Sequence, residues 1–120
     1  MLLLALIVSG CMAGNRPFPK KYLGSYEGTQ ESYQVKVNED EVAIPPAEFS
    51  LELAYNELWL TTGKQVIQGT YEVKETEMYY AFSVKMKNGV AEEWQLWKKG
   101  GRLVRKAMTP KPEVVFVASH

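Results

Sequence analysis

The residues able to do chemistry in this 120-residue chain are few. Cys11 is the only cysteine and His120 the only histidine. A lone thiol excludes an internal disulfide and any cysteine-based metal site. A lone histidine cannot supply a histidine-rich metal cluster, and a serine–histidine triad is not expected. The carboxylates are scattered over turns and outward strand positions, so nothing in their spacing pairs two for acid–base work. The glycines fall in turns or strands and form no phosphate-binding loop. No enzyme constellation and no cofactor is expected. What remains is Cys11 behind an apolar run, a large set of aromatics, and Arg105.

Residues 2–8 are apolar without interruption and lead into Val8-Ser9-Gly10-Cys11. This resembles the lipobox of bacterial lipoproteins. The resemblance implies a signal peptide over residues 1–10, cleavage before Cys11, and a diacylglyceryl group on its sulfur. The mature chain would then be held to a membrane through covalent lipid. Residue 12 is methionine rather than the aspartate that in the resembling family retains lipoproteins in the inner membrane. The implied location is therefore the outer membrane, facing the periplasm. No Lys or Arg lies between Met1 and Cys11, a departure that leaves a start upstream of Met1 open. Seven apolar residues fall far short of the ~20 that a spanning helix needs.

The elements that must position the other candidates are strands. About 110 mature residues make one domain. Residues 12–21, with Gly14, Pro17 and Pro19, read as a tether that extends at most ~35 Å. From Tyr22 to His120 no helical period persists. Apolar residues alternate with period two between short turns. Strands are expected over 22–28, 32–38, 41–44, 48–54, 57–62, 65–74, 78–87, 90–98, 102–108 and 113–117. Such spacing predicts an all-β, up-and-down antiparallel meander of eight to ten strands. With no helix to cover its apolar face, the sheet must close, or nearly close, into a small barrel.

Register follows from the turns. A two-residue Asn88-Gly89 turn would pair the apolar face of 78–86 with polar partners. A three-residue loop, Lys87-Asn88-Gly89, sets Phe82 against Trp94 and Tyr80 against Leu96, and is preferred. It also turns Glu92 inward, opposite Val84. There it is expected to be solvated at the mouth, and if buried would need a partner such as Arg105. Turns at Glu39-Asp40 and Glu75-Thr76 would pair Val37 with Val42, Tyr71 with Tyr80 and Gly69 with Phe82. A turn at Tyr55-Asn56 would pair Leu53 with Leu58. The resulting apolar face runs unbroken from Tyr26 through Tyr33, Val35 and Val37 to Leu96.

A second resemblance rests on Gly24-Ser25-Tyr26 in the first strand and Arg105 in the next-to-last. They resemble the G-x-W start and the late arginine of lipocalin-like (calycin-type) barrels, with tyrosine in place of tryptophan. The resemblance implies a closed barrel in which the arginine packs across the first-strand aromatic.

Two uses of the aromatics stay open. Tyr71, Tyr80, Phe82 and Trp94, with Arg105, could line an interior that holds a small apolar or amphipathic ligand, or could fill it as a solid core. Tyr79, Trp97 and Trp59 point outward and could form a surface for an envelope protein partner, or could cover an edge. In that second case the chain resembles bacterial lipoprotein lysozyme inhibitors, whose usual disulfide it cannot form. Net charge is zero, with 14 bases and 14 acids, so nucleic acid is not expected as a partner. Charge is unevenly placed, however. Residues 27–57 hold eight acids and one base, and residues 98–111 hold six bases and no acid. Cross-strand pairing between the first and last strands would use up this asymmetry. The basic run could otherwise touch anionic lipid.

Overall fold

The structure, a computed structural model, describes residues 18–119. Cys11, the expected signal peptide over residues 1–10 and the expected tether up to Pro17 lie outside the described residues. Ten strands follow a single 3-10 turn at Lys20–Tyr22: β1 (Gly24–Gln30), β2 (Tyr33–Val37), β3 (Asp40–Ile44), β4 (Ala47–Ala54), β5 (Glu57–Thr62), β6 (Gln65–Glu75), β7 (Tyr79–Met86), β8 (Ala91–Trp97), β9 (Leu103–Arg105) and β10 (Val114–Ala118). Eight of them close a barrel in the order β9-β10-β1-β4-β5-β6-β7-β8, with every neighbouring pair antiparallel. The expected meander is therefore present, with one excursion, since β2 and β3 form a separate two-stranded sheet.

Strict alternation drives closure. In β4 the inward Phe49, Leu51 and Leu53 are buried, while Glu48, Ser50 and Glu52 face water. β5 through β8 repeat the pattern, and Leu58, Leu60, Trp94, Leu96, Leu103, Val114 and Phe116 are wholly removed from solvent. Each such side chain contributes about 1.5–3 kcal/mol. Where β10 crosses β1, only glycine fits at residue 28. A Cβ there would stand 2.7 Å from the Val115 carbonyl oxygen and 3.0 Å from the Phe116 ring.

The hairpin registers sort the turn readings. Phe82 faces Trp94, Tyr80 faces Leu96 and Tyr79 faces Trp97, the three-residue register. Gly89 supplies its left-handed residue at φ 93. Leu53 meets Leu58 around Asn56, which also takes positive φ. Two other turns are corrected. Val37 pairs with Asp40 rather than Val42, because Asn38 adopts the left-handed backbone and moves the turn one residue earlier. Tyr71 meets Val84 and Gly69 meets Met86, because the β6–β7 turn lies two residues later than expected. There the Thr76 hydroxyl accepts the Tyr79 N–H at 3.1 Å and donates to the Tyr79 carbonyl at 2.7 Å. Both shifts move the register by an even number, so the inward faces survive. Met78 does not, since it sits at the turn tip with 64% of its surface exposed.

The continuous apolar face also breaks at the β2–β3 hairpin. Pro45 and Pro46 have no N–H to carry a ladder from β3 into β4. Val37 and Val42 consequently remain 51% and 42% exposed. At the N-terminal side the folded body begins earlier than Tyr22. The Phe18 ring packs edge-on against Tyr80 and Phe82 at 5.2 and 5.5 Å, and Tyr22 against Tyr80 at 5.7 Å.

The meander gives the barrel two different ends. The chain enters at one, the tether end, together with the β4–β5, β6–β7 and β8–β9 turns. The other, the mouth, carries the β5–β6 turn, the Lys87-Asn88-Gly89 loop, the β9–β10 loop and the β2–β3 excursion.

Candidate functional site

The mouth is built by two loops. In the first, the Gly89 N–H bonds the Met86 carbonyl at 2.9 Å, the Met86 N–H bonds the Val90 carbonyl at 2.9 Å, and the Asn88 side-chain oxygen accepts the Val90 N–H at 3.0 Å. This closure fixes the register that turns Glu92 and Trp94 inward. In the second, Met108 and Lys111 exchange both backbone hydrogen bonds around Thr109-Pro110. That small bend folds Met108 and Lys111 over the mouth.

Between them lies a cavity of about 310 Å3. Ile67, Met86, Val90 and Met108 supply apolar wall, and Glu92 with Arg105 supplies the polar part. Glu92 was expected to be solvated; it is buried instead, at 8% exposure. Its burial is made possible by a complete set of partners. Arg105 donates from Nε at 2.8 Å and from Nη2 at 2.9 Å, and Trp94 Nε1 donates at 2.9 Å. Burial by itself pushes the Glu92 carboxyl up. The hydrogen bonds from Arg105 and Trp94 and the charges of Arg105 and Lys111 outweigh it, and hold the group below its ordinary range. Glu92 is thus a fixed carboxylate and not a proton donor.

Arg105 is clamped from several sides. Its Cζ lies 5.8 Å from both the Phe49 and the Trp94 ring centroids. The packing of this arginine across Tyr26, implied by the lipocalin resemblance, is replaced by packing over Phe49 and Trp94. Tyr26 belongs to the tether end, where its hydroxyl donates to the Tyr22 carbonyl at 2.6 Å. Two nitrogens of Arg105 serve Glu92; Nη1 has no hydrogen-bond partner among the described residues. The cavity lining therefore carries two cations, Arg105 and Lys111, against one carboxylate, Glu92.

The other expected interior residues are distributed along the barrel. Trp94 lies below Arg105, stacked on Phe116 at 5.7 Å. Phe82 stacks on Tyr71 at 4.7 Å, and the Tyr71 hydroxyl donates to the Ala54 carbonyl. Burial pushes the hydroxyls of Tyr26 and Tyr71 up to about 12. Tyr80 is half-buried at the tether end, with Lys98 Nζ 5.1 Å over its ring. Of the five candidates, Arg105 alone lines the mouth cavity. Sequence reasoning missed Val90, Met108 and the buried state of Glu92. The inward register of Glu92 together with the need for Arg105 was the available signal; nothing announced the Met108–Lys111 bend.

Outside, Tyr79 and Trp97 form a tilted pair with centroids 4.9 Å apart. Trp59 is not part of it. β6 and β7 separate it from Trp97, and it borders a groove with Ser25 and Glu52. The first and last strands do meet, through β1 and β10. The basic run nevertheless pairs elsewhere: Lys98 with Glu75, Arg105 with Glu92 and Lys106 with Glu113. The acids of residues 27–57 are not its partners in these bridges. Among the described residues no group of three acidic, histidine or cysteine side chains could hold a metal ion. No helix among them is long and apolar enough to cross a membrane.

Comparisons with protein-family models, with curated proteins and with solved structures find no match to this chain.

Proposed function

We propose that the chain is a lipid-anchored envelope protein whose lipocalin-like barrel holds a small amphipathic anion at its mouth. The observation that carries this reading is the mouth cavity. It joins apolar walls (Ile67, Met86, Val90, Met108) to a half-buried arginine with one uncommitted nitrogen and a nearby lysine. Ligand sites are commonly apolar clefts with a few fixed polar groups, and 310 Å3 lies at the small end of their range. An apolar tail against Met86 and Met108 with its charged head at Arg105 fits that division. The rings of Phe82 and Trp94, 1% and 0% exposed, favour a ligand seated above the core rather than within it. Anchoring through Cys11 rests on the lipobox resemblance, and the closed eight-strand meander supports the calycin-type part of the reading.

A second reading, a protein-interaction module working through its outer wall, is favoured by the same sealed rings and by the Tyr79–Trp97 pair. Native mass spectrometry of the protein extracted from membranes separates the two. The expected spectrum shows a chain beginning at Cys11 with added acyl mass, and a small non-covalent adduct that disappears in Val90→Glu. An unacylated chain would overturn the anchor, and an adduct-free one the ligand.

A further inference from the structure

We propose that the tether end of the barrel is a docking face for an anionic lipid bilayer. The first observation is where the chain enters. Phe18 is already packed on Tyr80 and Phe82, and Cys11 precedes it by only seven residues, with the apolar run of residues 2–8 just before. Seven residues span at most about 25 Å. A membrane attachment at Cys11 would therefore hold this end, and not the mouth, against the surface.

The second observation is what that end displays. Lys98 Nζ lies 5.1 Å over the Tyr80 ring, Lys21 Nζ lies 5.1 Å over the Tyr22 ring, and the two rings are 5.7 Å apart. The entering chain and the β8–β9 turn thus bring their cations to one place. Lys20, Lys99 and Arg102 are exposed beside them and make no ion pair among the described residues. Lys98 is joined to Glu75 at 2.7 Å, and Glu77 is exposed in the next turn. Five cations against these two acids leave a net +3 on this side. Glu52 and Glu57 belong to β4 and β5, on the other side of the end.

The third observation is the apolar part. Met78 projects at the tip of the β6–β7 turn, 64% exposed. Its carbonyl accepts the Lys98 N–H at 3.1 Å, so the two turns are fastened together. The Tyr79–Trp97 pair stands directly above them on the outer wall. Tyr and Trp settle at the headgroup level of a bilayer, and lysine extends its charge to the phosphates. The arrangement is a basic collar around one projecting apolar side chain, facing the way the tether leads. It goes beyond the ligand reading; the first observation rests on the anchor proposed above, and the other two stand without it.

The test uses the chain from Met12 onward, which contains every strand of the closed barrel. Co-sedimentation is measured at low salt with vesicles of phosphatidylcholine alone, or in equal parts with phosphatidylglycerol. Binding is expected to the mixed vesicles only. Each exposed lysine removed from the face should cost about fivefold in partition, and Lys20→Ala/Lys21→Ala/Lys99→Ala about a hundredfold. Lys36→Ala/Lys85→Ala/Lys87→Ala makes the same change in net charge away from the face and should bind nearly as the parent does. All six side chains are exposed, and near-ultraviolet circular dichroism confirms that each variant is folded. The proposal is overturned by no binding to mixed vesicles, by equal binding to neutral ones, or by equal losses in the two triple variants.

Discussion

The Glu92–Arg105 pair is where a single carboxylate does most to shape this molecule. A buried ion pair adds little net stability over apolar residues of the same volume, but removing one partner strands the other. Glu92→Gln keeps an oxygen for the Trp94 N–H and removes only the charge. At neutral pH it should cost about 3 kcal/mol. The acid limb gives the sharper signature. Because the Glu92 carboxyl titrates below its unfolded-state value, the pair's contribution is fully present above the ordinary carboxylate range. It is lost as pH falls through the lowered value. The stability gap between wild type and Glu92→Gln should therefore narrow as pH falls through and below the ordinary carboxylate range. Urea denaturation over that range measures it, and a constant gap would mean that Glu92 titrates alike in the folded and unfolded chain.

Among the elements, the β2–β3 hairpin is the one the barrel does without. Gln30 at the end of β1 already pairs with Ala47 at the start of β4, so the sheet closes behind the hairpin. Replacing residues 32–45 with two glycines should leave a cooperative melt with Tm within about 5 °C of the parent. A loss of cooperative unfolding would show that the hairpin belongs to the core. This element also marks the limit of what the sequence could reveal. Its valines alternate as well as Phe49, Leu51 and Leu53 of β4, and period two specifies which side chains share a face but not which strand lies alongside. Pro45-Pro46 separates the expected strands 41–44 and 48–54, but a proline pair does not show that the chain has left the sheet. The Phe82–Trp94 register, in contrast, was legible because a one-residue slip would have buried Gln95 and Glu93. The β6–β7 register was not. Slips of four residues leave every face unchanged, and the choice was made by the Thr76–Tyr79 hydrogen bonds. For the same reason the candidate site was legible only in its polar half. Glu92 and Arg105 could be matched by charge and register, whereas the Met108–Lys111 bend depends on tertiary contacts of a loop.

At the scale of the whole molecule, the barrel is a solid body with two unlike ends. Its middle is packed by Trp94, Phe116 and Phe82. Chemistry is thereby pushed to the rims: cations with Met78 where the chain enters, and an apolar cavity with Arg105 where the β7–β8 and β9–β10 loops meet. An anchor upstream of Phe18 would turn the cavity away from the membrane, open to whatever diffuses past. The measurement that bears most directly on this account is a titration of the chain from Met12 with dodecanoate, followed by amide and methyl NMR shifts. Saturable shifts are expected, concentrated at Ile67, Met86, Val90 and Met108, with the Arg105 side-chain resonances moving and the rings of Phe82 and Trp94 nearly still. Shifts centred on Tyr79 and Trp97, or none that saturate, would contradict it.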